Sequence, residues 1–427
     1  MRHASFPDGV TRDDLVRWYR RGRALSEKIF SIPIADAYYD RPIPLRNPIV
    51  FYEGHIPAFA VNTLMKLALK CHGINERYEV LFARGIDPES VDAMKSPTDL
   101  WPSREEIRAY AARADAMVID ALLNAPIDDG REPQRVNAEA AFAILEHEQM
   151  HQETLLYMFH EMPYERKVRR WPLAVGRDFS SSANGQRSTA NDVRIPGGVV
   201  TLGADGWFGW DNELPAHRVE VGDFTIDRNN ITNGEYLDYM NATGTEPPHF
   251  WTRRNGAWFW HGLFETIPLP LDWPVWVTHD EATAFARWRG KRLPTEAEYH
   301  RAAFGTPSGA ERMYPWGDEQ PDATRGNFGH SNWDPVPVGS YPAGASAWGV
   351  HDLTGNGWEW TSTLFDRFDG FRPMPSYPLY SAEFFDAKHY VMKGGSPATP
   401  PELIRRSFRN WFRPSYPYVY AAFRCTV

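Results

Sequence analysis

The chain of 427 residues, 42% hydrophobic and 24% charged, is ordinary globular material and long enough for two or three domains with sizeable cores. Its 46 Lys and Arg against 55 Asp and Glu leave a net charge of −9, which argues against nonspecific binding to nucleic acid or an anionic membrane, since both need a positive face. No apolar run approaches the ~18 residues of a membrane span, the polar start MRHASFPDGVTRDD has no leader-like apolar stretch, and the two cysteines, Cys71 and Cys425, make no disulfide framework, so a reduced, cytoplasmic protein is expected.

In chain order, residues 11–165 read mostly as helix. Thr11 is placed to cap a first helix with Asp13 and Asp14 in its first turn and Leu15, Trp18, Tyr19, Leu25 and Ile29 along its body. A second helix is expected after Pro57, with Phe59, Leu64, Leu67 and Ala68 on one stripe. A third follows the capping box of Ser103 and Glu106 and runs to about Leu123, and a fourth extends from near Asn137 to about Met162. Four such helices predict an antiparallel bundle over 1–165. Residues 166–193 are poor in apolar positions, and the run from Phe179 to Asp192 reads as a linker. From 194 to 427 the texture changes: short strand-like runs (VVTLG, HRVEVGDFTID, YVMKGG) alternate with irregular loops, Trp is concentrated, and helices are expected at Thr278–Arg289 and near Thr295–Ala303.

The segment Glu146-His147-Glu148-Gln149-Met150-His151 carries the clearest chemistry. Histidines at i and i+4 share one helical face and can chelate one metal ion. Fourteen histidines in 427 residues would give about 0.5 such pairs by chance, so the pair alone does not decide. The segment also fits H-E-x-x-H, in which Glu148 would be the general base of a zinc peptidase and His160 or Glu161 would complete the site. His55, read as preceding the second helix in FYEGHIPAF, is a third imidazole that a bundle can bring to the pair. Three imidazoles leave positions open for dioxygen and a substrate, which suits redox iron.

The stretches RIPGG, NITNGEYLDYMNATG, VTHDEATAFARWRGKRLPTEAEYHRAA, YPWGDE, GVHDLTGNGWEWTST, VMKGGS, RNWFRP and AAFRC span about 194–427. This half resembles the sulfatase-modifying-factor fold of the formylglycine-generating enzymes, which implies a mixed domain of C-type-lectin-like topology. Those enzymes use a cysteine pair near the C-terminus for copper chemistry; here only Cys425 lies in that region, which argues against that activity. The first half resembles a DinB-like four-helix bundle, so the fold class is α+β. A DinB-like bundle followed by this domain is the arrangement of the ergothioneine sulfoxide synthases and the related ovothiol and selenoneine synthases.

By that resemblance His55, His147 and His151 are the three ligands of iron(II), dioxygen is a co-substrate, and a structural calcium ion is a further candidate. The substrate implied is hercynine, the trimethylated betaine of histidine, and the partner is a small thiol or selenol donor. The product is a sulfoxide or selenoxide with the new bond at the imidazole carbon between the two ring nitrogens. The family's Asn-Trp pair falls on Asn410 and Trp411, with Arg409, Phe412, Arg413 and Tyr416 nearby as donors or aromatic faces for a betaine. The family's active-site tyrosine upstream of the GGS motif corresponds to Tyr377 or Tyr380 in SYPLYSAEFF. Either phenol is suited to give a proton or hydrogen atom to bound oxygen species.

One position departs from the peptide-using branch. Ergothioneine enzymes that take γ-glutamylcysteine have an acidic residue directly after the Asn-Trp pair, and here that residue is Phe412. A zwitterionic peptide needs ionic partners in a desolvated site, whereas a sugar needs hydrogen bonds and an aromatic face. The stretches PLRNPIVFYEGHIPAF and LFARGIDPE also resemble the selenoneine and ovothiol branches, so a selenosugar donor is expected, with Arg84 a candidate to bind it. The other readings are C–S bond formation, the zinc peptidase, and a non-catalytic ligand-binding module built on the lectin-like half.

Overall fold

A computed structural model describes residues 10–83, 101–168, 191–206 and 208–427. The chain divides into two compact units. The first holds residues 1–171 together with the short segments Gly206–Phe208 and Pro373–Tyr380; the second holds the remainder.

The first unit is helical. Its helices are α1 (Arg12–Ile29), α2 (Ile49–Ala60), α3 (Glu76–Leu81), α4 (Arg104–Asn124) and α5 (Glu139–His160). Thr11 with Asp14 and Ser103 with Glu106 form reciprocal capping boxes at the starts of α1 and α4. Each such cap contributes about 1 kcal/mol. Helix α1 packs on α4 and α5, and α2 packs on α4 and α5. The core between them gathers Leu15, Tyr19, Phe59, Leu64, Val118, Leu122, Phe142 and Leu145.

The second helix corrects the sequence reading. It begins at Ile49 rather than after Pro57, and His55 lies inside it rather than before it. Proline most often marks a helix start because its ring lacks an N–H, yet here Pro57 sits within the helix. The coil then widens into π-type turns over Val61–Ala68, closed by the Leu69 N–H on the Leu64 carbonyl at 3.0 Å. The described residues also contain α3, a short helix that the hydrophobic pattern did not announce. The linker expected from Phe179 lies outside the described residues up to 190, and Asp192 already belongs to a strand. No described helix is long and apolar enough to cross a membrane.

The second unit is a mixed domain. Strands β1 (Asp192–Ile195) and β4 (Phe224–Asp227) pair antiparallel, as do β2 (Gly198–Leu202) and β3 (His217–Val221). Strands β5 (Trp251–Arg254), β6 (Ala257–His261) and β7 (Thr266–Pro268) form a meander. The largest sheet has the order β10-β9-β8-β11, from Asn410–Phe412, Tyr390–Lys393, Trp358–Leu364 and Ala421–Ala422, and β11 runs parallel to β8. Helices α6 (Asn233–Thr243), α7 (His279–Trp288) and α8 (Glu296–Phe304) each start with a Thr-x-x-Glu capping box, from Thr232, Thr278 and Thr295.

The tryptophans explain how so loop-rich a domain acquires a core. Trp210, Trp260, Trp276, Trp358 and Trp360 are fully buried. A buried indole N–H needs an acceptor: Trp260 donates to Asp334 at 3.0 Å, Trp276 to the Asn356 carbonyl at 3.1 Å and Trp360 to the Val277 carbonyl at 2.8 Å. Loops are thereby tied to strands and to one another through polar contacts as well as apolar area. Gly355 makes one such loop possible, since its φ is +81° and a side chain there would strike the Asn327 backbone.

Candidate metal centre

Both helices that carry the histidines run through the interior of the first unit. All twelve residues of α2 are buried, and α5 is buried around most of its circumference. A helix apolar on every side is a central helix, so polar groups on it are desolvated and need a partner.

The structure brings His55 of α2 to His147 and His151 of α5. Each pair of Nε2 atoms among the three lies 3.2 Å apart. Burial is the main cause that pushes His55 down to about 4 and holds His147 and His151 well below the usual imidazole range. Neutral imidazoles offer lone pairs, and three lone pairs converging on one point are a ligand set for a cation. Nitrogens this close together would all be within reach of a single ion at metal–nitrogen distances of about 2.1 Å. The donor set therefore fits a facial three-histidine metal site. His151 is partly exposed while the other two are buried, so the cluster opens on the His151 side.

Residues that the sequence reading missed hold this arrangement. The Nδ1 of His55 lies 2.8 Å from the Phe82 carbonyl, which fixes that proton on Nδ1 and aims Nε2 at the cluster. Phe82 also packs against Gly54, where a Cβ would come within 2.5 Å of its ring. Phe59 stacks on His147 with centroids 3.5 Å apart, and Phe51 stacks on His55 at 5.0 Å. Tyr52 leans on His151 at 5.6 Å. Phe51, Phe59 and Tyr52 share the helix of His55; Phe82 arrives from the end of α3 and carried no local signal.

Both candidate tyrosines belong to the compact unit that holds the triad. The Tyr377 ring lies 5.3 Å from Phe59 and 6.2 Å from His147. The Tyr380 hydroxyl lies 3.2 Å from the sulfur of Met150, the residue before His151, and its ring is 5.7 Å from that of Tyr377.

Asn410, Trp411, Phe412 and Arg413 lie in the second unit. The first three form β10, paired with β9 so that Trp411 faces Val391 across the ladder. Trp411 stacks on Phe365 at 4.2 Å, and Phe412 stacks on Tyr416 at 4.9 Å. Asn410 accepts from the Trp411 N–H at 2.9 Å, and Arg413 is exposed. Arg409 does not join them. Its guanidinium is 2% exposed, donates to Glu296 at 3.0 Å and to the carbonyls of Asn212 and Asp366, and so braces the strand from behind.

Glu148, the general base of the peptidase reading, takes a hydrogen bond from Ser26 at 2.6 Å and from Arg23 at 2.9 Å. Its carboxylate is thus engaged with α1, and the peptidase reading loses its base. His160 and Glu161 are not part of the cluster. Among the described residues no second group of three His, Cys, Asp or Glu side chains converges as these do. Arg84 lies outside the described residues.

Comparison with known proteins gives a consistent picture. Residues 19–155 match the DinB superfamily, and residues 178–427 match the sulfatase-modifying factor enzyme 1-like domain. The chain is 35% identical over 347 residues to a hercynine oxygenase of Mycolicibacterium smegmatis, covering 75% of this chain and 77% of that protein. It is 29% identical over 485 residues to ergothioneine biosynthesis protein 1 of Neurospora crassa, covering 90% of this chain and 54% of that protein, about half of the fungal relative's length. Among solved structures, PvdO from Pseudomonas aeruginosa is similar at 26% identity and a TM-score of 0.43, over 55% of this chain and 93% of that one.

Proposed function

The chain belongs to the family of the hercynine oxygenases, and from that membership we propose that it forms a C–Se bond at the imidazole of hercynine, using iron(II), dioxygen and a selenosugar donor. The observation that carries the metal part is the convergence of three neutral imidazole nitrogens at 3.2 Å from one another. Iron(II) held there supplies a centre at which dioxygen and a soft thiol or selenol donor are activated.

The chain's own residues do the rest. His55, His147 and His151 would hold the metal, and the rings of Phe51 and Phe59 stack on His55 and His147 while Tyr52 leans on His151, which shields the two buried ligands from water. Tyr377 is the proton donor in this reading. What supports it over Tyr380 is its ring against Phe59 and near His147, whereas the Tyr380 hydroxyl is turned to the Met150 thioether. A proton delivered at the metal site steers the oxidant toward bond formation and away from wasteful oxidation of the donor.

Hercynine carries a quaternary ammonium and a carboxylate. The first prefers an aromatic face and the second a cluster of donors, and we assign Trp411 and Asn410 to it, with Arg413 beside them. Trp411→Ala is expected to weaken hercynine binding by more than ~1 kcal/mol, roughly fivefold or more. Anaerobic calorimetry checks this, and an unchanged dissociation constant would remove Trp411 from the substrate site.

Phe412 supports the sugar donor. It presents a ring stacked on Tyr416 and no carboxylate. A dipeptide would bring an ammonium and two carboxylates into a partly desolvated site, and contact with Phe412 returns at most about 1.5–3 kcal/mol against the several kcal/mol of an unpaired charge. The second reading, C–S bond formation, is favoured by the relatives, whose names carry hercynine oxygenase and ergothioneine biosynthesis. A competition with hercynine at equal concentrations of selenosugar, γ-glutamylcysteine and cysteine, scored by product mass, separates the two. The selenium adduct should dominate; preference for γ-glutamylcysteine would move the protein to the C–S reading.

A further inference from the structure

We propose that Glu139, in the first turn of α5, is the positioning residue that holds Tyr377 at the metal site. The proposal rests on the reading of Tyr377 as proton donor, and it names what fixes that phenol in place.

The segment Pro373–Tyr380 returns to the helical unit more than two hundred residues after α5 and has no regular secondary structure. Such a segment keeps a fixed position only through discrete anchors. Pro373, Pro375 and Pro378 supply no backbone N–H, so few donors are available for anchoring. One of them, the N–H of Ser376, donates to Glu139 Oε1 at 2.8 Å. A second tie runs from Gln134 Nε2 to the Pro375 carbonyl at 3.3 Å. Both ties sit just ahead of the residue that matters, since Tyr377 directly follows Ser376.

The α5 side of this contact is built with some backbone cost. Asn137 and Ala138 both adopt left-handed φ, 55° and 52°, immediately before Glu139. Such a pair is uncommon for residues other than glycine and persists where surrounding structure demands it. Asp128 accepts from the backbone of both. Ala138 offers no side-chain cap to the helix, and Glu139 is the first residue after it. A carboxylate there is favoured by the helix dipole, and its bond to an N–H is charge-assisted. Burial of Glu139 raises its pKa, which fits a carboxyl enclosed between two segments. The same helix carries His147 and His151, so Glu139 links the tyrosine segment and the metal ligands through one rigid element.

A phenol that must deliver a proton at a defined atom is sensitive to displacements of about 1 Å. Loss of the Glu139 contact should therefore leave the metal in place and change what the oxidant does. The readout is the ratio of hercynine adduct to donor oxidised alone. The latter reaction balances as one thiol or selenol plus one dioxygen giving the sulfinic or seleninic acid, with both oxygens from dioxygen.

The experiment compares wild type, Glu139→Ala, Glu139→Gln, Tyr377→Phe and the Glu139→Ala/Tyr377→Phe double variant at equal iron content, with hercynine and either a sugar selenol or γ-glutamylcysteine. Glu139→Ala should lower the ratio roughly tenfold or more. Glu139→Gln, which keeps an acceptor oxygen for the Ser376 N–H, should stay near wild type. The double variant should match Tyr377→Phe alone, because a residue that acts through the tyrosine has nothing to add once the hydroxyl is gone. Should Glu139→Ala fail to fold, Glu139→Ser, which keeps a small polar side chain in the first turn but is too short to reach Ser376, replaces alanine in every comparison. A wild-type ratio in the short-side-chain variant, or full additivity with Tyr377→Phe, overturns the positioning role alone. An unchanged ratio in Tyr377→Phe itself overturns the tyrosine reading, and the Glu139 proposal with it.

Discussion

Replacing His147 with alanine is expected to abolish retention of iron and to cut hercynine turnover by at least ~100-fold. Outer-shell partners of metal ligands already cost roughly 10–100-fold when removed, and a ligand costs more. His147 is an equal member of the triangle, its Nε2 3.2 Å from each of the others, and its ring is stacked on Phe59 at 3.5 Å. Two imidazoles, from α2 and α5, would remain. Metal analysis of the purified variant and a turnover assay check the result, with melting temperature as the control for folding. Retention of stoichiometric iron together with wild-type turnover would show that the three-imidazole cluster is not the reaction centre.

The second large effect is structural and lies in the other unit. Arg424 is fully buried and paired with Glu359 at 2.6 and 2.7 Å, and it also donates to the carbonyls of Asp227, Arg228 and His351. It thus ties β4 and the loop before β8 to the end of the chain. Glu359→Ala leaves a guanidinium in the interior without its counter-ion, and the expected loss is about 3–5 kcal/mol. Two units need not unfold together, so the measurement is urea unfolding followed by tryptophan fluorescence, which reports on this Trp-rich unit. A loss below ~1 kcal/mol would mean that water or local rearrangement solvates Arg424.

Much of this architecture is legible in local sequence. The capping boxes of Thr11 and Ser103 announce α1 and α4 because the signal sits within four residues. The i, i+4 pair of His147 and His151 is equally local, and α5 displays it as expected. His55 joins them only through packing of α2 on α5, which spacing alone does not give. Its place within the helix was obscured by Pro57, a residue that usually opens helices and here lies inside one that widens into π-type turns. The Phe82 carbonyl that orients His55 and the Glu139 carboxylate that holds Ser376 are contacts across 27 and 237 residues. Neither residue type is distinctive, so no motif marks them. Arg409, by contrast, stood in the right motif for substrate binding, but three-dimensional context commits it to Glu296.

Oxygen consumption tests the central claim, that a three-histidine iron site couples dioxygen to bond formation on hercynine. Protein loaded with iron(II) under anaerobic conditions is exposed to dioxygen with hercynine alone, with a selenol or thiol donor alone, and with both. The fastest uptake should require both together, an adduct bearing selenium or sulfur at the imidazole should accumulate with it, and zinc-loaded protein should be inactive. Uptake indifferent to hercynine with no adduct from any donor, or activity supported equally by zinc, would contradict the claim.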